Sequence, residues 1–305
     1  MSQLKESSPW SSLLILLGIT FACSFGTQMF VILGFVISSG NLSDINDQML
    51  NIMNGKPSGF LYLILLTGSV GTFLIPSMIL QYIERPYSNY FPINNKKILT
   101  FAFLIFIFLF ALNPVMEVVS EWNLKMKLPE SISSLESWMY QKEEEMKDLT
   151  ENIVMVDSVK LLFANLLVMA LVPAVVEEFY FRGSLQNICN RIFKNTHAAI
   201  WITAIIFSLI HLQFYGFFPR MILGVIFGYS LYWSGNIWVP VIGHFINNAT
   251  VTLLGFYYHQ QGKTFDDLQQ ASLTDWYFII PSIIFSIAIG LYFYKIRNKN
   301  EYVES

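Results

Sequence analysis

Long apolar runs separated by short polar connections organise the chain, at residues 10–38, 58–83, 98–116, 158–181, 197–213, 217–234, 237–258 and 276–294. Most reach the roughly 18 residues that carry a helix across a bilayer. In hydrocarbon the backbone of such a run is satisfied only within a helix or a closed barrel. The pattern therefore predicts an all-α fold, a polytopic membrane helix bundle of about eight transmembrane helices, with residues 1–305 forming a single membrane domain. Only Lys5 precedes the first run, which is much longer than the roughly 7 to 15 apolar residues of a secretory leader. It reads as a retained span.

The connections sort by charge. Arg85, Lys96 and Lys97 lie in 84–97, Arg182, Arg191 and Lys194 in 182–196, and Lys295, Arg297 and Lys299 in the C-terminal tail. Cytoplasmic loops carry the excess of Lys and Arg, so these three read as cytoplasmic. The connections 39–57 and 259–275 hold one lysine each, Lys56 and Lys263, beside Asp44, Asp47, Asp266, Asp267 and Asp275, and read as outside. The expectation is eight spans with both termini cytoplasmic, in the cell membrane. The longest connection, 117–157, becomes an acidic extracytoplasmic loop. Within it Leu135, Trp138, Met139, Met146, Leu149 and Ile153 recur near helical spacing, predicting an amphipathic helix that lies on the membrane or caps the bundle.

Composition narrows the partners. The chain is 54% hydrophobic and 13% charged, against about 25% charged in soluble domains, so its solvent is the lipid bilayer. A net charge of -3 without a Lys/Arg cluster excludes nucleic acid as a partner. Cys23 and Cys189 are too far apart in sequence and setting to suggest a disulfide framework.

The candidate chemistry lies in the polar residues inside the spans. The fourth run holds Glu177 and Glu178, with Arg182 directly after its last residue; ionised groups in hydrocarbon are costly and by default mark a functional site. Glu178 and Arg182 are i and i+4, an order that lets them neutralise each other. Glu177 points about 100° away and is the carboxylate free to face a cavity. Pro173, one turn earlier, loosens the helix. The fifth run offers His211, with Phe207 one turn before it, and the seventh offers His244 and Asn248 on one face. Interhelical hydrogen bonding explains any one of these, but not a Glu, two His and an Asn on three spans. His197 and His259 stand at span ends and read as interfacial; Ser208 reads as packing or bonding back to its own helix.

At these residues the chain resembles the CAAX protease and bacteriocin-processing family (CPBP, also called Abi) of intramembrane endopeptidases. The resemblance rests on three motifs in order: EExxxR at Glu177, Glu178 and Arg182, FxxxH at Phe207 and His211, and HxxxN at His244 and Asn248. It covers a catalytic core of about 158–260. It implies hydrolysis of a peptide or membrane-protein substrate, with Glu177 and His211 activating water and His244 and Asn248 holding the oxyanion, while Glu178, Arg182 and Phe207 support the site. Relatives act on prenylated CAAX proteins, bacteriocin leaders or membrane-anchored regulators, and the residues do not choose among them. The family has also been classed as metalloproteases, with Glu177, His211 and His244 as a Zn2+ set. A site without a cofactor is favoured, because Glu178 and Arg182 look self-contained and Asn248 suits an oxyanion hole better than a ligand set. A proton-coupled transporter is the reading from another class; its mark would be broken helices in paired repeats. One tension remains: at 1.5 Å per residue Glu177 and His244 lie about 10 Å deep but His211 about 20 Å.

Overall fold

A computed structural model describes residues 7–39, 58–85, 88–270 and 276–297. The connection 39–57 with Asp44, Asp47 and Lys56, together with Lys5, Asp275 and Lys299, falls wholly or mainly outside the described residues. Ten helices follow in order: α1 (Pro9–Ser39), α2 (Gly59–Glu84), α3 (Ile98–Leu124), α4 (Ser133–Val154), α5 (Val159–Phe193), α6 (Thr196–Leu209), α7 (Phe217–Ser234), α8 (Trp238–Gln260), α9 (Phe265–Gln270) and α10 (Trp276–Ile296). Among the described residues there is no strand, only an isolated bridge between Ile93 and Asn236. The protein is an all-α polytopic membrane bundle. Phe30, Ile37, Leu99 and Phe110 stand exposed on its outer surface, as apolar residues facing lipid must.

Among the described residues seven helices are long and apolar enough to cross a membrane, one fewer than the hydropathy pattern suggests. The exception is the fifth run. Its helix α6 has 14 residues, a length of about 21 Å against a hydrocarbon core of about 30 Å. It stops at Leu209 because the chain turns, and Leu212 takes a left-handed backbone conformation with φ 53°. His211 therefore sits in a turn and not on a helix. Two boundaries move the other way. Helix α3 continues past residue 116 to Leu124, and α5 runs through the supposed loop 182–196 as far as Phe193.

Helix α5 is central because it is irregular. It widens into π-helical turns at Leu166–Leu171 and Phe179–Leu185. The first directly precedes Val172 and Pro173, where the missing proline N–H already breaks the hydrogen-bond ladder. Its segment 174–188 passes between two apolar clusters. One contains Leu16, Leu80, Tyr180, Phe181 and Ile188, the other Ala174, Phe179, Leu231 and Val241. Helix α8 packs against α3, α5 and α7, and α6 lies along α7. That last approach needs Gly224, since a Cβ there would sit 2.9 Å from the Ala204 side chain.

A polar knot ties the ends of α1, α2 and α5. Glu84 is buried and accepts hydrogen bonds from Ser7 (2.7 Å), Ser12 (2.5 Å), Tyr90 and Arg191 (3.1 Å). Arg191 is thus an ion-pair partner and not a free loop cation.

The acidic connection does form its helix, α4, and it caps the bundle at its C-terminal end. Ile153 and Val154 are buried, and Val154 fills a notch at Gly255, where a Cβ would meet it at 2.6 Å. Asn165 donates to the Ile153 carbonyl and accepts from Tyr62 at 2.5 Å. Leu135, Trp138 and Met146 remain exposed along the rest of the stripe.

From the Lys/Arg bias we propose that α4 lies outside the cytoplasm. A single cysteine at Glu144, with Cys23 and Cys189 replaced, is then expected to react with a membrane-impermeant maleimide in intact cells. Reaction only after permeabilisation reverses the orientation.

Candidate active site

Helices α5, α7 and α8, with the turn after α6, converge on Glu178. Its carboxylate is wholly buried and its Oε1 meets Arg182 Nη1 at 2.9 Å. The same oxygen lies 2.8 Å from His244 Nδ1. Glu178 and Arg182 are therefore not a self-contained pair: the carboxylate also orients the α8 histidine. Around them is an aromatic box. The Arg182 guanidinium lies 4.4 Å from the Phe207 ring centre and 5.5 Å from that of Phe227, and the His244 ring stacks on Phe227 at 5.4 Å. A cation held against aromatic faces in a water-poor site gains what it loses in hydration only if its countercharge stays.

Glu177 behaves differently, as its position one helical step away requires. Its side chain keeps 14% exposure, and its nearest cationic or imidazole contact is His244 Nε2 at 3.9 Å, longer than a hydrogen bond. Among the described residues no donor is within hydrogen-bond distance of it.

His211 is held by its own turn. Nδ1 is 2.7 Å from the Phe207 carbonyl, which can only accept, so Nδ1 carries the proton and a neutral ring presents a lone pair at Nε2. The same reasoning assigns His244: Nδ1 donates to Glu178, and Nε2 donates as well only in the imidazolium form. Asn248 reaches across to α5, where Nδ2 donates to the Met169 carbonyl at 3.2 Å in the first π-helical turn; its Oδ1 accepts from Asn247 at 3.1 Å. One amide hydrogen of Asn248 stays uncommitted.

The fold thus joins Glu177, Glu178, Arg182, His244 and Phe207 directly. It does not hydrogen-bond His211 to Glu177. Among the described residues no three His, Cys, Asp or Glu side chains surround one point as metal ligands would. As the side chains stand, Glu177, His211 and His244 do not fit a zinc ion. Ser208, expected to bond within its own helix, instead donates to the Phe217 carbonyl at 2.6 Å and fastens the turn.

Arg220 of α7 escaped the motif reading. Its charge acts on both Glu177 and His211, and its guanidinium donates to the Gln213 carbonyl (3.3 Å) and Oε1 (2.8 Å). An arginine inside the apolar run 217–234 was the signal. On the other side of Arg182 a cavity of about 540 Å³ opens among Tyr90, Asn94, Gln186, Asn187 and Leu231.

Replacing Arg182 by Ala, or Glu178 by Leu, strands a buried charge and is expected to destabilise by about 3 kcal/mol or more. Glu177→Gln, in contrast, should leave the melting temperature near wild type. Equal melting temperatures for Arg182→Ala and wild type in detergent would refute this division.

Comparisons with known proteins agree with the geometry. Residues 159–250 match the model of the type II CAAX prenyl endopeptidase Rce1-like family. An uncharacterized Bacillus subtilis protein, YpbD, is 29% identical over 89 residues, 28% of this chain and 42% of that relative, so the match spans under half of the relative's length. No solved structure matches the chain. The matched residues contain Glu177, Glu178, Arg182, His211, Arg220, His244 and Asn248, and through this core the chain is similar to the Rce1-like CAAX prenyl endopeptidase family.

Proposed function

We propose that the protein is an intramembrane endopeptidase in which Glu177 and His211 activate a water molecule and His244 and Asn248 receive the oxyanion. The observation that carries this reading is the contrast between the two adjacent carboxylates. Glu178 is spent on Arg182 and His244, while Glu177 is reachable and has no donor in contact among the described residues. A carboxylate in that state binds water readily and can take its proton.

In this mechanism water sits between Glu177 and the Nε2 lone pair of His211. As its oxygen attacks the peptide carbonyl, a proton passes to Glu177 and is later returned to the leaving amine. Negative charge grows on the carbonyl oxygen. The uncommitted Asn248 hydrogen meets it, together with Nε2 of His244 when that nitrogen carries a proton, the ring being oriented by Glu178. Fixed donors in a water-poor site stabilise such charge far more than they would in water. The substrate is a peptide segment at the membrane, and a prenylated C-terminal peptide, the class in the family's name, is the first to assay.

Asn248→Ala is expected to lower kcat about 100-fold or more with KM little changed, as for loss of one oxyanion donor. Glu177→Gln should abolish turnover. Purified wild type should keep its activity in a strong chelator. Stoichiometric zinc, lost together with activity in His211→Ala, would instead make the protein a metalloprotease using Glu177, His211 and His244.

A further inference from the structure

The turn that carries His211 is strained and is held from outside. Leu212, with φ 53°, has a left-handed backbone that a branched side chain rarely adopts. Such strain persists only where the surroundings over-determine it. Here they do. Asn123 of α3, wholly buried, donates to the Phe214 carbonyl and accepts from Phe218 N–H, both at 2.9 Å. Arg220 of α7 takes Gln213 by its carbonyl and its amide oxygen. The third holder comes from outside the spans: Glu143 of α4 accepts from Gln213 Nε2 at 3.2 Å and from Tyr215 N–H at 3.3 Å.

Burial pushes the Glu143 carboxyl above the ordinary glutamate range despite the opposing pull of Arg220, Tyr215 and Gln213. With a raised folded value, the stability tied to its protonation is present at low pH and is lost as pH rises through that value.

We infer that Glu143 is a positioning residue for His211: through Gln213 and Tyr215 the acidic helix α4 holds the turn that aims the histidine. This makes α4 part of the active-site scaffold and not only a cap. The inference rests on the proposed hydrolytic role of His211, but one readout does not.

The test compares Glu143→Leu, Glu143→Gln and wild type at pH 8. Amide hydrogen exchange at Tyr215 needs no substrate and should quicken in Glu143→Leu. In peptide cleavage kcat should fall about tenfold or more, as for a small misplacement of a reacting group, with KM within about twofold and the melting temperature not lowered. Glu143→Gln, which keeps one acceptor oxygen, should fall between the two. Leu212→Asn, which accepts the left-handed conformation, should shrink the loss caused by Glu143→Leu. Unchanged exchange at Tyr215, wild-type kcat in Glu143→Leu, or a loss of kcat matched by a lower melting temperature would each overturn the inference. Quickened exchange in Glu143→Leu, beside a wild type that cleaves no peptide, would leave the clamp standing and remove the proteolytic reading.

Discussion

A single carboxylate oxygen, Oε1 of Glu178, has to serve a guanidinium on its own helix and an imidazole on another. In the interior of a membrane bundle that sharing decides much else. The charge on Arg182 needs a countercharge, the countercharge fixes the ring of His244, and the ring fixes how α8 faces α5. Phe207 and Phe227 close the box and keep water from loosening it. The neighbouring carboxylate, which the same helix turns out of the box by about 100°, is left free for the chemistry we propose. Two identical side chains meet opposite surroundings because one helical step separates a sealed environment from a partly exposed one.

Irregularity in the backbone serves the same end. Pro173 has no N–H to offer the carbonyl four residues before it, that of Met169 in the first π-helical turn. That carbonyl is taken up by Asn248 from α8. An interhelical contact is thus made from a defect, without a loop in the hydrocarbon. Small residues complete the approach: Gly224 lets α6 and α7 touch and leaves its carbonyl 3.4 Å from Arg182.

Much of this was legible in the residues alone, and for a definable reason. Charged side chains in apolar runs are conspicuous, so Glu177, Glu178, Arg182, His211 and His244 could be picked out, and helical spacing paired Glu178 with Arg182 correctly. What escaped depended on information that hydropathy does not carry. Leu212 is apolar and looks like more helix; its left-handed backbone ends the fifth run early. The depth count put His211 out of level with Glu177 because the fourth run was ended near residue 181, whereas α5 runs on to Phe193 and leaves Glu177 about 24 Å from that end. Glu143 is one of many acids in its segment, and only the fold shows that it faces inward. Arg191 and Arg182, counted as loop cations, prove to be ion-pair partners, so they weigh less in an argument from surface charge. Arg220 was visible by the same rule that found Glu177 and was passed over because it belongs to no motif.

The short helix α6 has a consequence for the bilayer itself. A wall of the bundle about 21 Å tall stands beside spans of 18 to 35 residues, so lipid against that wall must compress or water must descend to meet the polar turn at its end. Hydrophobic mismatch of this kind costs fractions of a kcal/mol per Å. The helix that leads to His211 is thus the place where the thickness of the host membrane is felt most.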